Sequence, residues 1–209
     1  MPELPEVETT RRGIAPFVVG EVVKDIIIRE RQLRWPIPVS LKRSLKNQVI
    51  RTLHRRAKYL LFNTDKGCMI LHLGMSGSLR IINDSQAPEK HDHVDIILES
   101  GQILRFRDPR KFGSILWTKD EPMEHKLLNH LGPEPLSDEF QVDYLYARSR
   151  KRTQAIKTFI MNNCIVVGVG NIYASEALYR AGIKPTQKAG KISKAGCEKL
   201  IIEIKNVLT

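Results

Sequence analysis

Cysteine, aromatic residues and long apolar runs are all scarce in this sequence of 209 residues. Its three cysteines are far apart and form no C-x-x-C pair, which predicts buried, reduced thiols and neither a disulfide framework nor a structural zinc site: Cys68, Cys164 and Cys197. Aromatic residues make up 6% of the chain. Those near the basic segments are not arranged as stacking pairs, which disfavours a platform for RNA bases.

No stretch of the sequence has the pattern of a membrane span or a secretion signal. Apolar runs such as 165–167 are far shorter than a bilayer requires, and the N-terminus carries Glu3, Glu6 and Glu8 instead of a basic and then an apolar stretch. We therefore predict a cytoplasmic protein with no membrane partner. Hydrophobic residues make up 42% of the chain, which suffices for two modest domains, and with no sign of oligomerisation we expect a monomer.

Acidic residues are fewer than basic residues in this sequence. The chain has 23 Asp and Glu against 34 Lys and Arg, a formal net charge of +11, with a pI near 9.7. This balance predicts a partner that carries many phosphates. Charge alone does not distinguish DNA from ribosomal RNA or an anionic membrane surface.

The hydrophobic pattern changes from strand-like to helical along the chain. Pro5 and the acidic residues around it predict a short helix over 4–17. Strand-like segments separated by Gly, Asn and Asp then predict antiparallel strands at 22–28, 49–53, 59–62, 68–73, 78–82, 94–98, 102–106 and 114–118. The predicted fold is α+β, in which an N-terminal helix and a β-sandwich form a domain over 1–131, a hinge follows at 132–137, and a helical domain covers 138–209.

Apolar stripes with helical spacing predict the helices of the second domain. Each stripe is expected to lie on one buried face. The three stripes are Ile156, Phe159 and Ile160; Ile172, Ala177 and Leu178; and Leu200, Ile201, Ile204 and Leu208.

The N-terminal residues place an amine beside a carboxylate. Removal of Met1 leaves Pro2 with a free secondary amine next to Glu3, and an α-amino group titrates nearer neutrality than a lysine, at about pKa 8 against about 10. Such an amine can attack an electrophilic carbon and give an iminium. On these residues alone, a plain start site followed by acids that stabilise a helix N-terminus is the simpler interpretation.

Six blocks spread over the whole chain change that interpretation. In this order they resemble the signatures of formamidopyrimidine-DNA glycosylases, which are base-excision repair enzymes. The first block resembles this family more closely than the related endonuclease VIII, which has Gly at the position of Leu4. The blocks are MPELPEVET at 1–9, RRAKYL at 55–60, HLGMSG at 72–77, KHDHVD at 90–95, DPRKFG at 108–113 and VGVGNIYASE at 167–176.

The resemblance implies an enzyme that excises oxidised purines from double-stranded DNA and then cuts the strand. It makes Pro2 the nucleophile that attacks C1′ of the damaged nucleotide and forms a Schiff base, and Glu3 the nearby general acid and base. Lys58 matches the lysine that assists β-elimination and contacts phosphate.

The resemblance also implies a set of side chains that contact DNA. Met75, Arg110 and Phe112 match the residues that fill the hole left by an extruded base, with the arginine on the orphaned cytosine. The resemblance implies further DNA contacts for His72, His91, Arg152 and Lys157. It also places Asn171 in a helix–two-turns–helix motif, in which this residue and the backbone N–H groups of the helix bind phosphate. Two histidines around Asp92 equally fit a solvated loop or a satisfied polar cluster.

Relatives in this family continue into a lesion-capping loop and a four-cysteine zinc finger. The sequence reaches Thr209 before that region, so zinc is expected only in full-length members and no cofactor or metal ligand is assigned here. Without the arginine of the finger, β-elimination is favoured over β,δ-elimination. The main alternative is a non-catalytic or lyase-only relative that binds damaged DNA. A ribosomal or other RNA-binding protein is supported by charge alone.

Overall fold

The computed structural model describes residues 2–83 and 86–209. Met1, whose removal the proline nucleophile requires, lies outside the described residues. By internal contacts the chain divides into two compact units, one with Pro2 and Glu6–Leu128 and the other with Glu3–Pro5 and Asn129–Thr209. The predicted hinge at 132–137 thus lies inside the second unit.

The first unit is a β-sandwich of two antiparallel sheets, as predicted. It begins with helix α1 (Leu4–Val18), whose first turn groups with the second unit, and contains a short helix α2 (Leu41–Leu45) that was not predicted. One sheet has the order β1-β6-β7-β5 and the other β2-β3-β4-β8. The strands are β1 (Val23–Ile28), β2 (Thr52–Arg56), β3 (Tyr59–Thr64), β4 (Gly67–His72), β5 (Ser78–Asn83), β6 (Asp92–Leu98), β7 (Gln102–Arg107) and β8 (Ser114–Thr118).

Apolar side chains of both sheets and of α1 form the core of this unit. Phe62, Met69 and Phe106 are fully buried there together with Val7 and Ile14 of α1. Burial of this kind supplies about 1.5–3 kcal/mol for each large apolar side chain. The apolar residues that predicted these strands are therefore the residues that fill the core.

The second strand begins and ends three residues later than predicted. Val49 forms only an isolated bridge with Val22, and the strand β2 runs instead over Thr52–Arg56, paired with β3. Its last three residues are His54, Arg55 and Arg56, which lack the apolar alternation by which strands are recognised. Pairing with β3 and the ion pair of Arg55 with Glu8 hold this basic segment in the sheet.

A single carboxylate ties α1 to β2. Glu8 lies 2.7 Å from Arg11, 2.9 Å from Arg12 and 3.1 Å from Arg55. The hydrogen bond from Arg11, helped by Arg12 and Arg55 against the opposing effect of burial, lowers the pKa of Glu8 from 4.5 to about 2.

This lowered pKa predicts an acid-sensitive contribution to stability. Since the folded-state pKa is below the unfolded one, the contribution is fully present above about pH 5 and disappears as the pH falls towards 2. In urea unfolding between neutral and acid pH, Glu8→Gln should lower the free energy of unfolding at pH 7 and match the wild type at the acid end. Glu99→Gln, at an exposed carboxylate, is the control and should change little; an equal loss from both variants would contradict the prediction.

The second unit is helical, as predicted. Its helices are α3 (Val142–Ser149), α4 (Ile156–Ile160), α5 (Asn171–Arg180) and α6 (Lys194–Leu208), and a 3₁₀ turn covers Ala189–Lys191. The hydroxyl of Ser193 accepts the N–H of Gly196 at 3.0 Å and caps α6. A 3₁₀ turn at Pro122–Glu124 belongs to the first unit.

Two of the three predicted apolar stripes are buried and one is wrong in part. The stripes of α4 and α6 lie in the core of the second unit. In α5, Ala177 and Leu178 are buried, whereas Ile172 is 60% exposed and Ala174 takes its place in the core. The reason is geometric: at about 100° per residue, Ile172 points well away from Ala177 and Leu178.

The cysteine prediction needs one correction. All three thiols are free, and Cys68 and Cys197 are buried, but Cys164 is exposed. Cys164 lies in the turn after α4, outside the regular elements whose apolar faces form the core. Burial raises the pKa of the Cys68 thiol to about 12. No helix within the described ranges has the length and apolar character that crossing a membrane requires.

Candidate active site and nucleic-acid interface

Glu3 is buried and bound to the start of helix α5. Its side chain is 2% exposed, and its two carboxylate oxygens accept the backbone N–H groups of Ile172 at 3.1 Å and Tyr173 at 3.4 Å. These are among the N–H groups that an α-helix leaves without an internal partner, and they lie at the positive end of the helix dipole. The second unit therefore holds this carboxylate in one place.

Gly170 makes room for that carboxylate. A Cβ atom on Gly170 would lie 2.2 Å from the carboxyl carbon of Glu3 and 2.4 Å from one of its oxygens. Gly170 is also the residue that precedes α5 as its N-cap. Close approach of an acid to this helix end is thus possible only because no side chain stands there.

Lys58 lies in the tight connection between β2 and β3. Arg56 pairs with Tyr59, so that Ala57 and Lys58 form the turn, with Ala57 at a φ of 53°. Arg55 donates to the carbonyl oxygen of Ala57 at 2.9 Å and also binds Glu8. Lys58 itself is half-buried. The ion pair between α1 and β2 thus reaches the turn that carries the predicted catalytic lysine.

The predicted hole-filling residues lie on two loops of the first unit. Met75 is 40% and Phe112 43% exposed, which fits a protruding role. The guanidinium of Arg110 lies over the ring of Phe112, 5.0 Å from its centroid. The structure therefore brings an apolar wedge and a hydrogen-bond donor together on the loop 108–113.

The loop 72–77, which carries Met75, packs directly on the loop 108–113. A Cβ atom on Gly74 would lie 2.4 Å from the nitrogen of Gly113 and from the carbonyl carbon of Phe112. The hydroxyl of Ser76 donates to Asp108 at 2.7 Å. All three predicted hole-filling residues thus belong to one pair of touching loops.

His72 serves the loop in which it lies. Its Nδ1 accepts the N–H of Gly74 at 2.9 Å, and its ring centroid is 4.8 Å from that of Tyr59. Burial, followed by the charges of Arg34 and Lys58, lowers the pKa of His72 to about 4. The ring is therefore neutral at physiological pH in the protein without DNA, and the contact of His72 with DNA stays a prediction.

The two histidines around Asp92 have different environments. His93 is buried, and its Nε2 lies 2.8 Å from the carbonyl oxygen of Asp108. His91 is half-buried, and it lines a surface pocket together with Lys90 and Lys111. His93 is thus the satisfied polar group, and His91 stays the predicted DNA contact.

The second unit presents its predicted DNA contacts on and before two helix starts. Asn171, the first residue of α5, and Arg152 are exposed, and Lys157 in the first turn of α4 is half-buried. In the part of the chain that the structure describes, none of these three side chains has a hydrogen bond or ion pair to another residue. They are therefore available to a phosphate.

Sequence reasoning missed several residues that organise these sites. Asp108 opens the DPRKFG block, yet no role was predicted for it, and neither was one for Ser76 or Arg55. The only signal was membership of a block. Among residues 2–83 and 86–209, no group of three His, Cys, Asp or Glu side chains could hold a metal ion.

Comparisons with known proteins agree on one family. Residues 1–115 match the profile of the formamidopyrimidine-DNA glycosylase N-terminal domain, and residues 131–209 that of the formamidopyrimidine-DNA glycosylase H2TH domain. Over 208 residues, all of this chain and 77% of each relative, the sequence is 56% identical to formamidopyrimidine-DNA glycosylase of Saccharophagus degradans and 58% identical to that of Stutzerimonas stutzeri.

Solved structures give the same answer. Lactococcus lactis formamidopyrimidine-DNA glycosylase, bound non-covalently to DNA with an abasic site, aligns with 99% of this chain and 80% of its own at a TM-score of 0.92 and 31% identity. The same enzyme in complex with an inhibitor and DNA aligns at a TM-score of 0.93 and 32% identity, covering 99% of this chain and 78% of its own. The chain therefore belongs to the formamidopyrimidine-DNA glycosylase family, the DNA glycosylases of base-excision repair.

Proposed function

We propose that this protein is a bifunctional DNA glycosylase and abasic-site lyase that removes oxidised purines, such as 8-oxoguanine and formamidopyrimidines, from double-stranded DNA. The observation that carries the proposal is the buried carboxylate of Glu3, which follows the candidate nucleophile Pro2 directly and is held on the N-terminus of α5. A protein that only binds DNA has no need of an amine next to a fixed carboxylate.

The proposed reaction begins at C1′ of the damaged nucleotide. The unprotonated nitrogen of Pro2 attacks C1′, the bond from C1′ to the base breaks, and the base leaves with a proton. Glu3 donates and accepts the protons that this exchange and the opening of the sugar require. The product is an iminium that joins Pro2 to C1′.

Strand cleavage follows from the iminium. Loss of a proton from C2′ expels the 3′ phosphate by β-elimination, because the iminium accepts the electron pair. Lys58, on the turn that Arg55 holds in place, assists this step and contacts the neighbouring phosphate. Water then hydrolyses the iminium and regenerates the free amine of Pro2.

Recognition of the duplex uses the loops and the helix starts. Met75 and Phe112 fill the hole left by the extruded nucleotide, and Arg110 binds the orphaned base. His91, Arg152, Lys157 and Asn171 hold phosphates, with the net charge of +11 supplying the long-range attraction. The partner is damaged duplex DNA, the protein acts as a monomer, and the steps above use protein groups without a cofactor.

Borohydride trapping on duplex DNA with an abasic site tests the proposal. Protein whose N-terminus is shown by mass spectrometry to begin at Pro2 should form a covalent adduct that maps to Pro2. The matched control retains Met1, which turns the Pro2 nitrogen into an amide without a basic lone pair and should abolish the adduct. Protein that begins at Pro2 and binds the DNA but forms no adduct would favour the DNA-binding alternative, and an adduct on Lys58 would contradict the assigned nucleophile.

A further inference from the structure

Asp108 stands at the base of the two touching loops, and each of its carboxylate oxygens serves a different loop. The residue is 0% exposed. Oδ1 accepts the hydroxyl of Ser76 at 2.7 Å, next to Met75. Oδ2 accepts the backbone N–H of Gly113 at 2.7 Å, next to Phe112. The two loops therefore share one side chain as their common anchor.

The same anchor reaches Arg110. The oxygen of Ser76 that donates its proton to Asp108 also accepts the backbone N–H of Arg110 at 3.2 Å. A chain of two hydrogen bonds thus runs from Asp108 through the loop of Met75 and back to the loop of Arg110. Movement of either loop alone breaks at least one of these bonds.

The backbone of Asp108 extends the anchor to the loop of His91. Its N–H donates to the carbonyl oxygen of His91 at 3.0 Å, and its own carbonyl oxygen lies 2.8 Å from Nε2 of His93. The three segments that carry the predicted DNA contacts of the first unit therefore meet at one residue.

Asp108 has no ion-pair partner among the residues that the structure describes. Burial of a carboxylate without a cation is costly unless hydrogen bonds satisfy it. An asparagine offers only one acceptor oxygen, so it can keep the bond from Gly113 only if its NH₂ group donates to the Ser76 hydroxyl, which must then turn its own proton away. A carboxylate accepts from both loops without that rearrangement, which argues for a requirement beyond filling space.

We propose that Asp108 is a positioning residue that holds the loops 72–77 and 108–113 in one register, so that Met75, Arg110 and Phe112 enter the duplex as a single unit. This inference rests on the proposed function. Asp108 itself touches neither the sugar nor the base in this scheme. Its effect is therefore confined to substrates from which a nucleotide must be extruded, since a single strand leaves no hole to fill.

The test compares two substrates and one optical signal in Asp108→Ala, Asp108→Asn and Ser76→Ala. The substrates are a duplex that carries 8-oxoguanine opposite cytosine and a single strand that carries an abasic site, which is trapped with borohydride. The signal is the fluorescence of 2-aminopurine placed beside the lesion, which rises when a wedge separates the bases. Asp120→Asn is the control, at an exposed aspartate just beyond the end of β8.

The duplex reaction should depend on Asp108 and the single-strand reaction should not. For Asp108→Ala we expect duplex excision to fall by about 100-fold, as for a reacting arrangement misplaced by about 1 Å, with loss of the fluorescence rise and with single-strand trapping as in the wild type. Asp108→Asn and Ser76→Ala should show smaller falls. Ser76→Ala added to Asp108→Ala should cost little more, because both remove the same link.

Three results overturn the inference. Duplex excision by Asp108→Ala at the wild-type rate shows that the loops need no common anchor. An equal fall of Asp108→Ala on both substrates indicates general loss of folded protein, and Ser76→Ala, which leaves the bond to Gly113 intact, then decides. If the activity of Ser76→Ala also falls equally on both substrates, the positioning role is rejected. A wild-type protein that reacts with neither substrate rejects the proposed function and this inference with it, whereas the first two results leave the proposed function standing.

Discussion

Replacement of Gly170 by alanine is expected to reduce base excision by about 100-fold or more, although the residue carries no chemical group. A Cβ atom there would lie 2.2 Å from the carboxyl carbon of Glu3 and 2.4 and 2.5 Å from its oxygens. No such contact is tolerated, so either Glu3 leaves the N–H groups of Ile172 and Tyr173 or the start of α5 shifts. A general acid and base that is misplaced by about 1 Å loses most of its contribution, which typically amounts to 100-fold to 10,000-fold.

The size of this effect can be separated from loss of stability. Gly13→Ala is the matched control, because Gly13 lies in α1 and a Cβ atom there meets nothing within 4 Å. That control should keep full activity and gain up to about 1 kcal/mol of stability from the better helix propensity of alanine. Gly170→Ala should instead resemble Glu3→Gln in single-turnover excision of 8-oxoguanine.

DNA binding supplies the contrasting measurement for Gly170→Ala. Affinity for a duplex with an abasic-site analogue should change far less than the excision rate, since Asn171 is the one proposed phosphate contact next to Gly170 and those of His91, Arg152 and Lys157 are untouched. Excision by Gly170→Ala close to the wild-type rate would show that the helix start yields easily.

Most of the regular structure follows from local patterns, and its departures have local causes. The strands β3 to β8 begin and end within two residues of the predicted bounds, because each is a short run rich in apolar residues. The helix α2 was missed because LKRSL is one short turn-like segment with a basic centre. The second strand was displaced because its C-terminal half is His54, Arg55 and Arg56, which pair with β3, and Glu8 binds Arg55 there.

The geometry of the sites depended on contacts that no local pattern encodes. Glu3 meets Ile172 across 169 positions of sequence, and Asp108 meets Ser76 across 32. The blocks of the family resemblance named Pro2, Glu3 and the loop tips. They did not show that a helix N-terminus holds the acid or that one aspartate anchors both loops, since such contacts arise only when distant segments pack.

Gly74→Ala is expected to disable excision from duplex DNA and to destabilise the first unit. Gly74 has a φ of 67°, and a Cβ atom there would lie 2.4 Å from the nitrogen of Gly113 and 2.6 Å from the carbonyl oxygen of Phe112. Both neighbours are backbone atoms, so no side chain can rotate away. The loop of Met75 must separate from the loop of Phe112, which removes the joint wedge.

Gly101→Ala isolates that contact from backbone strain. Gly101 has a similar φ of 85°, but a Cβ atom there meets nothing within 4 Å. Alanine in the left-handed region costs about 1–2 kcal/mol at either position. The additional loss in Gly74→Ala, measured by calorimetric unfolding, therefore reports the clash between the loops.

The two glycine variants should differ more in excision activity than in stability. Gly101→Ala should excise 8-oxoguanine from duplex DNA at the wild-type rate at a temperature where both variants are folded, whereas Gly74→Ala should be slower by about 100-fold. Borohydride trapping on a single strand with an abasic site should proceed in both, because no hole needs to be filled there. Equal duplex excision by the two variants would mean that the loops can separate without consequence, and the joint wedge would then lose its support.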